Sequence, residues 1–455
     1  MNTYILRLLL LCILFLCAPS CNQDDTVVDD IINEEPDPDP NPDPDPDPDP
    51  DTDKPIFEGD TGNVLVYDEE KIFDGYVLVN DASDNRVYLM TKEGKISYEW
   101  ELPSNIGNDA ELLENGKLLV ALTDENAFYD VGGFGGRIQI INPDRSVEWD
   151  FLYSTEDYIS HHDIEMLPNG NVLILAWQKR SKEDALQAGY DGIPDNELLL
   201  LESLIEVNPE NNDIVWEWHS WDHIIQDFDD TKDNFGDIAE NPQLIDLNFH
   251  DDDRGDIMHA NGLDYDPVND LIYLSVNFYS EVWVIDHSTT TEEAATNLGG
   301  NYNKGGDLVY RFGNPLAYKN ETGTRLFYNN HFPNYLDNDE IGAGNLLIYM
   351  NGNNGSQQQS HVYELNLPDS FTLLPENDNE PTIEWEFTDA ELYSPIVSGA
   401  VRLPNGNTLI AEGRYGYWEV TESGEVVWLF EGNKLFWRGY SYPKDHPGVL
   451  LLELN

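Results

Sequence analysis

Three histidine-bearing segments recur along the chain, each directly ahead of a short apolar run. The first is Ser160-His161-His162-Asp163, the second Met258-His259-Ala260-Asn261-Gly262, and the third Asn329-Asn330-His331-Phe332. One such histidine would ordinarily do no more than hydrogen-bond a neighbouring loop. Three at corresponding places imply a shared site, suited either to a metal or to acid–base and nucleophilic chemistry. A metal is the less favoured, because imidazoles without an adjacent carboxylate leave the outer shell undefined. The remaining histidines carry less. His219 and His223 flank a Trp-rich turn, His250 precedes three aspartates, and His287, His361 and His446 read as surface or turn positions. The acidic stretch from Asp251 to Asp256 has the oxygen ligands for a structural Ca²⁺ but not the spacing of a known calcium loop, and a solvated loop is the simpler reading.

The elements that would hold these residues are strands. Past residue 60, β-branched and aromatic runs alternate with Asn-Gly and Pro-Asn-Gly turns, and no stretch sustains a 3.6-residue period. Leu167-Pro-Asn-Gly-Asn-Val-Leu-Ile recurs as Leu403-Pro-Asn-Gly-Asn-Thr-Leu-Ile, and more weakly from Leu113. Six strands rich in Trp, Glu and Phe close the units, starting at Tyr98, Val147, Val215, Leu308, Ile383 and Val426. A four-stranded unit cannot bury both faces alone, whereas six around an axis can. The expectation is an all-β, six-bladed β-propeller over 61–455. Its blades span 63–103, 108–154, 160–220, 257–313, 328–388 and 396–432. A capping insertion falls at about 221–257, and the apolar tail from Val449 supplies a closing strand. The histidines then stand where inner strands begin, facing one funnel. Blades two and six carry Asn108-Asp109 and Ser398-Gly399 there.

At these residues the sequence resembles the bacterial aryl-sulfate sulfotransferases, periplasmic propellers that work without the nucleotide donor PAPS. The resemblance runs from about residue 90 to 432. It rests on His161-His162-Asp163 with the following Leu-Pro-Asn-Gly-Asn, and on His259-Ala-Asn-Gly-Leu-Asp-Tyr-Asp266. It also rests on His331 with Gly344-Asn-Leu-Leu-Ile-Tyr-Met-Asn-Gly352, and on Thr408-Leu-Ile-Ala-Glu-Gly413. It implies that His331 attacks the sulfur of an aryl sulfate and is transiently sulfated, a task for a neutral imidazole. His259 and one of His161 or His162 would stabilise the sulfuryl oxygens and move the phenol proton. Asn261, Asn277 and Arg414 would bind substrate. Asn277 stands where the family carries an arginine, a loss of a few kcal/mol of charge-assisted contact. Arg414, or Arg180 and Lys179, would replace that charge. No cofactor is required. The acceptor would be a phenol, or water in a sulfatase. The competing reading is a non-catalytic surface propeller that binds a ligand or glycan.

The ends and the charge bound the rest. Arg7 and the apolar run Leu8 to Cys17 precede Ala18-Pro19-Ser20-Cys21, which reads as a lipoprotein signal over 1–21 with lipid on Cys21. The run is too short to span a bilayer. All three cysteines lie at or before residue 21, so nothing later forms a disulfide or thiolate metal site. Residues 22–60 form a tether, with proline and aspartate alternating between Pro36 and Asp51. The product is expected outside the cytoplasm, anchored to the outer membrane by lipid alone. A formal charge of −65 repels phosphate backbones and argues against nucleic acid as a partner. No phosphate-cradling glycine loop and no Gly-x-Ser-x-Gly elbow occurs.

Overall fold

The computed structural model describes residues 55–82, 84–129, 131–192, 199–249, 255–353 and 357–454. The expected signal, Cys21 and most of the tether lie outside these residues, as do His250 and residues 251–254 of the acidic stretch. No described helix is long and apolar enough to cross a membrane. The described chain folds as the expected six-bladed β-propeller.

Blades two to five are each four consecutive antiparallel strands. Blade two comprises 106–112, 118–123, 136–141 and 147–152, and blade three 158–166, 172–180, 199–208 and 213–219. Blade four comprises 260–266, 271–276, 281–286 and 310–312, and blade five 330–335, 345–350, 361–366 and 382–387. The two-residue period of each strand divides its side chains between two neighbouring blades. In strand 118–123, Leu118, Val120 and Leu122 pack toward blade one, while Leu119 and Ala121 pack toward blade three. Repeated around the ring, this makes one apolar seam per blade pair.

The ends of the ring differ from the expectation. Blade one takes 75–81, 86–90 and 96–101 from one end of the described chain, and its innermost strand is 436–443 from the other. Residues 62–67 do not belong to blade one. They pair with 426–432 as a fifth strand on blade six, outside 399–402, 408–412 and 416–420. The tail from Val449 is no strand either. Pro447–Leu450 forms one helical turn, and Val449 and Leu452 pack into the seam between blades one and two. The aromatic run Phe436 to Tyr442 fits the pleated inner position better. Its Phe436 fills the seam between blades six and one, and its Tyr442 the one between blades one and two. Segments from both ends of the described chain thus close the ring.

The insertion after blade three holds a short parallel pair, Ile224–Ile225 with Ile245–Asp246. It is tied to blade four by Arg311, which pairs with Glu281 and donates to the carbonyls of Leu244 (2.8 Å) and Pro242 (3.4 Å).

Candidate functional site

Inner strands pass the funnel with a defect that regular pairing would not give. The ladder between the first and second strands is interrupted at Ile106/Ala110, Ser160/Ile164, Ala260/Gly262 and His331/Pro333, and blade one shows the same at Phe436/Gly439. Such bulges re-aim side chains that strict alternation would fix. His162 and His259 occupy the left-handed region at φ 53° and 52°, as does Phe332, beside His331, at 52°. Three such residues at corresponding places mark a strained, purpose-built rim.

The outcome is a cavity of about 820 Å³ lined by His162, His259 and His331 together. Its polar wall includes Asp256, Asn277, Asn329 and Asn353, and its apolar wall Val131, Phe278, Ile396, Val397, Leu435 and Trp437. Gly133 is required here. Its φ is +87°, and a Cβ on it would lie 2.0 Å from the His162 ring.

His331 is buried, and its Nδ1 lies 2.6 Å from Asn351 Oδ1. The Asn351 amide is oriented by donating to the carbonyls of Ser394 (2.8 Å) and Val397 (2.9 Å). Its oxygen must therefore accept, so Nδ1 carries the hydrogen and Nε2 keeps the lone pair. Burial holds this imidazole down at about pKa 3, against a partial opposing pull from Asn351. The ring is neutral at physiological pH. The backbone just before it is pinned as well, since the Asn330 carbonyl accepts from Asn261 Nδ2 (2.8 Å), Asn277 Nδ2 (3.1 Å) and Ser275 Oγ (3.3 Å).

His259 is held twice by Asp256, through its backbone N–H (3.2 Å) and its Nδ1 (2.5 Å), and stacks on Phe278 with centroids 4.7 Å apart. His162 faces it, with ring centroids 4.8 Å apart. The structure separates the adjacent pair. His162 lines the cavity, while His161 is sealed behind it, stacked on Trp177 at 3.8 Å. Burial lowers both pKa values well below the ordinary histidine range.

Several expected substrate contacts fall elsewhere. Asn277 does line the cavity, but Asn261 is buried behind it as part of the Asn330 staple. Arg414 is exposed at the turn after strand 408–412 and is not part of the lining, because the blade-six turn carries it outward. Arg180 lies over Trp221, and Lys179 pairs with Glu156 at 3.6 Å. Among the described residues no lysine or arginine lines the cavity. The nearby cation is Arg438, buried in the channel with a 2.7 Å contact to Asp163, 3.8 Å from Asp109, and over the Phe332 ring. Asp256, read above within a possible calcium loop, is committed to His259, and no described group of three or more His, Cys, Asp or Glu could hold a metal. His287 sits in a turn, half-buried between Asp270 and Glu206; burial lowers it, but the hydrogen bonds to both carboxylates outweigh this and raise it to about pKa 9.

Sequence reasoning missed Asn351, Glu202, Trp437 and Arg438. Glu202 is a lone carboxylate at the end of a leucine run, and Arg438 a lone cation amid aromatics. Both are legible as anomalies, because a charged residue in an apolar strand needs a partner.

Solved structures resemble the chain at low identity. A protein of unknown function from Bacteroides caccae is 12% identical, covering 81% of this chain and 98% of that one, with a TM-score of 0.46. The β-propeller domain of Cps50 (Swd1) from Myceliophteria thermophila is 10% identical over 84% and 89%, at 0.41. The WD40 domain of Toxoplasma gondii coronin is 8% identical over 85% and 75%, at 0.38. At such scores these overlays carry no weight for fold or function. No curated protein matches significantly. The family description Arylsulfotransferase (ASST), by contrast, matches residues 61–433, which include all three histidines lining the cavity and every strand of blades two to five. The chain is a member of the arylsulfotransferase family.

Proposed function

We propose that this protein transfers a sulfuryl group from an aryl sulfate to a phenol in two half-reactions through a sulfated His331. One observation carries this reading. His331 is held neutral, with Nδ1 hydrogen-bonded to an Asn351 oxygen whose amide is itself fixed. A nucleophile needs the opposite nitrogen to keep its lone pair, and this arrangement supplies it without a charged partner.

In the first half-reaction Nε2 of His331 forms the N–S bond as the aryl S–O bond breaks. His162, in the same cavity, gives a proton to the departing phenolate oxygen. In the second, an acceptor phenol returns a proton to His162 as its oxygen attacks sulfur and the N–S bond breaks. Phe278 and Trp437 offer ring faces to the aryl groups, and the His259–Asp256 pair, with the Asn277 and Asn329 amides, supplies donors to the sulfuryl oxygens. Asn277 in the arginine's place leaves that oxygen site without a fixed charge. Donors with good leaving groups are therefore the expected substrates.

The test is intact mass and peptide mapping after incubation with 4-nitrophenyl sulfate. One sulfuryl group should appear on His331 and move to added phenol. His331→Gln should take up none and lose turnover by roughly 10³-fold or more. An adduct that only hydrolyses would make the protein a sulfatase. No adduct on the wild type would leave it a binding propeller.

A further inference from the structure

Behind His162 lies a chain of two buried groups, His161 and Glu202, that the transfer chemistry above does not use. Glu202, on strand 199–208, is 1% exposed. Its Oε2 is 2.9 Å from His161 Nε2, and His161 Nδ1 is 2.8 Å from His162 Nδ1. Glu202 Oε1 accepts from the Ala260 backbone N–H at 2.8 Å, and the His161 ring is stacked on Trp177, so neither end of the chain is free to rotate. Each imidazole has a second nitrogen on its far side. The line from carboxyl to cavity is therefore continuous, and it crosses two rings that can each take a proton on one nitrogen and release one from the other.

We propose that Glu202, acting through His161, is the proton store of the sulfuryl-transfer site, filling and emptying Nε2 of His162 in alternate half-reactions. This rests on the transferase reading. The proton count closes. At rest the Glu202 carboxyl O–H donates to His161 Nε2, His161 Nδ1–H donates to His162 Nδ1, and His162 Nε2–H faces the cavity. As the aryl S–O bond breaks, His162 Nε2 gives its proton to the phenolate oxygen. His162 Nδ1 takes one from His161 Nδ1, and His161 Nε2 takes one from Glu202, which becomes carboxylate. Both rings end neutral with their tautomers inverted. The acceptor phenol drives the same shift backward and regenerates Glu202–OH.

Burial pushes the Glu202 carboxyl well above the ordinary range, with neighbouring Asp256 adding to it, while both imidazoles are pushed down. The contact is accordingly a hydrogen bond between neutral groups rather than an ion pair. His162 needs this supply, because without it a neutral ring bearing hydrogen only on Nδ1 has none to give the leaving group. Glu202 and His161 act through His162 and are positioning residues.

A merely structural Glu202 would slow every donor alike when altered. A proton store matters in proportion to the basicity of the phenolate. Glu202→Gln keeps the shape and removes the exchangeable acid. Its sulfation rate is expected to fall about 10²-fold with phenyl sulfate and less than about fivefold with 2,4-dinitrophenyl sulfate, whose phenolate leaves unaided. His161→Phe keeps a ring on Trp177 and breaks the relay, so it should reproduce that dependence. The activated donor also reports whether each variant is folded. Equal losses on both donors, or no loss on phenyl sulfate, would overturn the inference. A wild type that never gains a sulfuryl group on His331 overturns the transferase reading itself, in the mass spectrum and before any variant is assayed.

Discussion

At His331 two opposing demands are met by neutral neighbours. The ring must be nucleophilic, yet a cation beside it would withdraw electron density, and a carboxylate would favour its protonated form. Asn351 does neither. Removing it in Asn351→Ala frees the ring to adopt the other tautomer, and sulfation should slow by about 10²-fold with KM for the donor little changed. Stopped-flow release of 4-nitrophenol checks this, and an unchanged rate would leave the amide without a role. The depressed pKa of about 3 also fixes a pH profile. An ordinary histidine near pKa 6.5 loses about tenfold in neutral form between pH 7.5 and 5.5. Adduct formation on His331 with 2,4-dinitrophenyl sulfate should change by less than about twofold over that range, and an acid limb centred near pH 6.5 would contradict the burial.

The inner strand is the element that turns sequence into a site. A regular strand would send His161 and His162 to opposite faces with no control over which entered the cavity. The bulge, the left-handed φ of His162 and the absent Cβ of Gly133 decide it together. Gly133→Ala forces both an unfavourable φ and a clash with the ring. It should cost about 1–2 kcal/mol of stability and reduce transfer as much as His162→Ala does. Calorimetry and turnover measured on the same sample test this, and full activity in the alanine variant would refute the role given to His162. Strand 436–443 carries the second element-scale prediction. Arg438 is the counter-ion of buried Asp163, with Asp109 beside it. Arg438→Met leaves them without a cation and should destabilise the protein by about 3–5 kcal/mol, read from chemical denaturation.

Over the whole molecule, charge sets the conditions under which the ring is most stable. Burial raises Asp109 to about pKa 8, and Glu111, Glu340 and Glu412 to about 7. The folded state binds protons that the unfolded chain has released above about pH 4.5, so this contribution is complete below that pH and is lost as pH rises through 7 to 8. Surface repulsion among the excess carboxylates acts in the same direction. The cavity histidine His331 acts oppositely, since the unfolded chain gains its proton below about pH 6.5 and the folded chain refuses it down to about pH 3, and buried His161 and His162 are lowered in the same direction. Melting temperature should therefore peak at about pH 5–6 and fall by several degrees at pH 8. A peak at pH 8 would mean that the buried carboxyls are ionised. The N-terminal residues add a separate expectation. Cys21 should take palmitate label in a bacterial host that processes lipoproteins, and Cys21→Ser should release the protein from the membrane fraction.

The sequence by itself determined, through local signals, most of the strands, the count of six units and a histidine at the start of three of them. Asn-Gly turns, two-residue alternation and Trp-rich closing strands are local signals, set by neighbours along the chain. It also carried the family resemblance, because each of the segments that bear it is a short local motif whose order along the chain can be read directly. What it misplaced or left open was decided by pairing between distant segments. Strand 436–443 completes blade one and strand 62–67 extends blade six, choices that depend on which edges meet when the ring closes. The bulges decide that His162 rather than His161 reaches the cavity, and a bulge is fixed by the partner strand as much as by its own residues. The roles of Asn351, Glu202 and Arg438 become legible only in three dimensions, because a buried polar group takes its meaning from the partner that satisfies it.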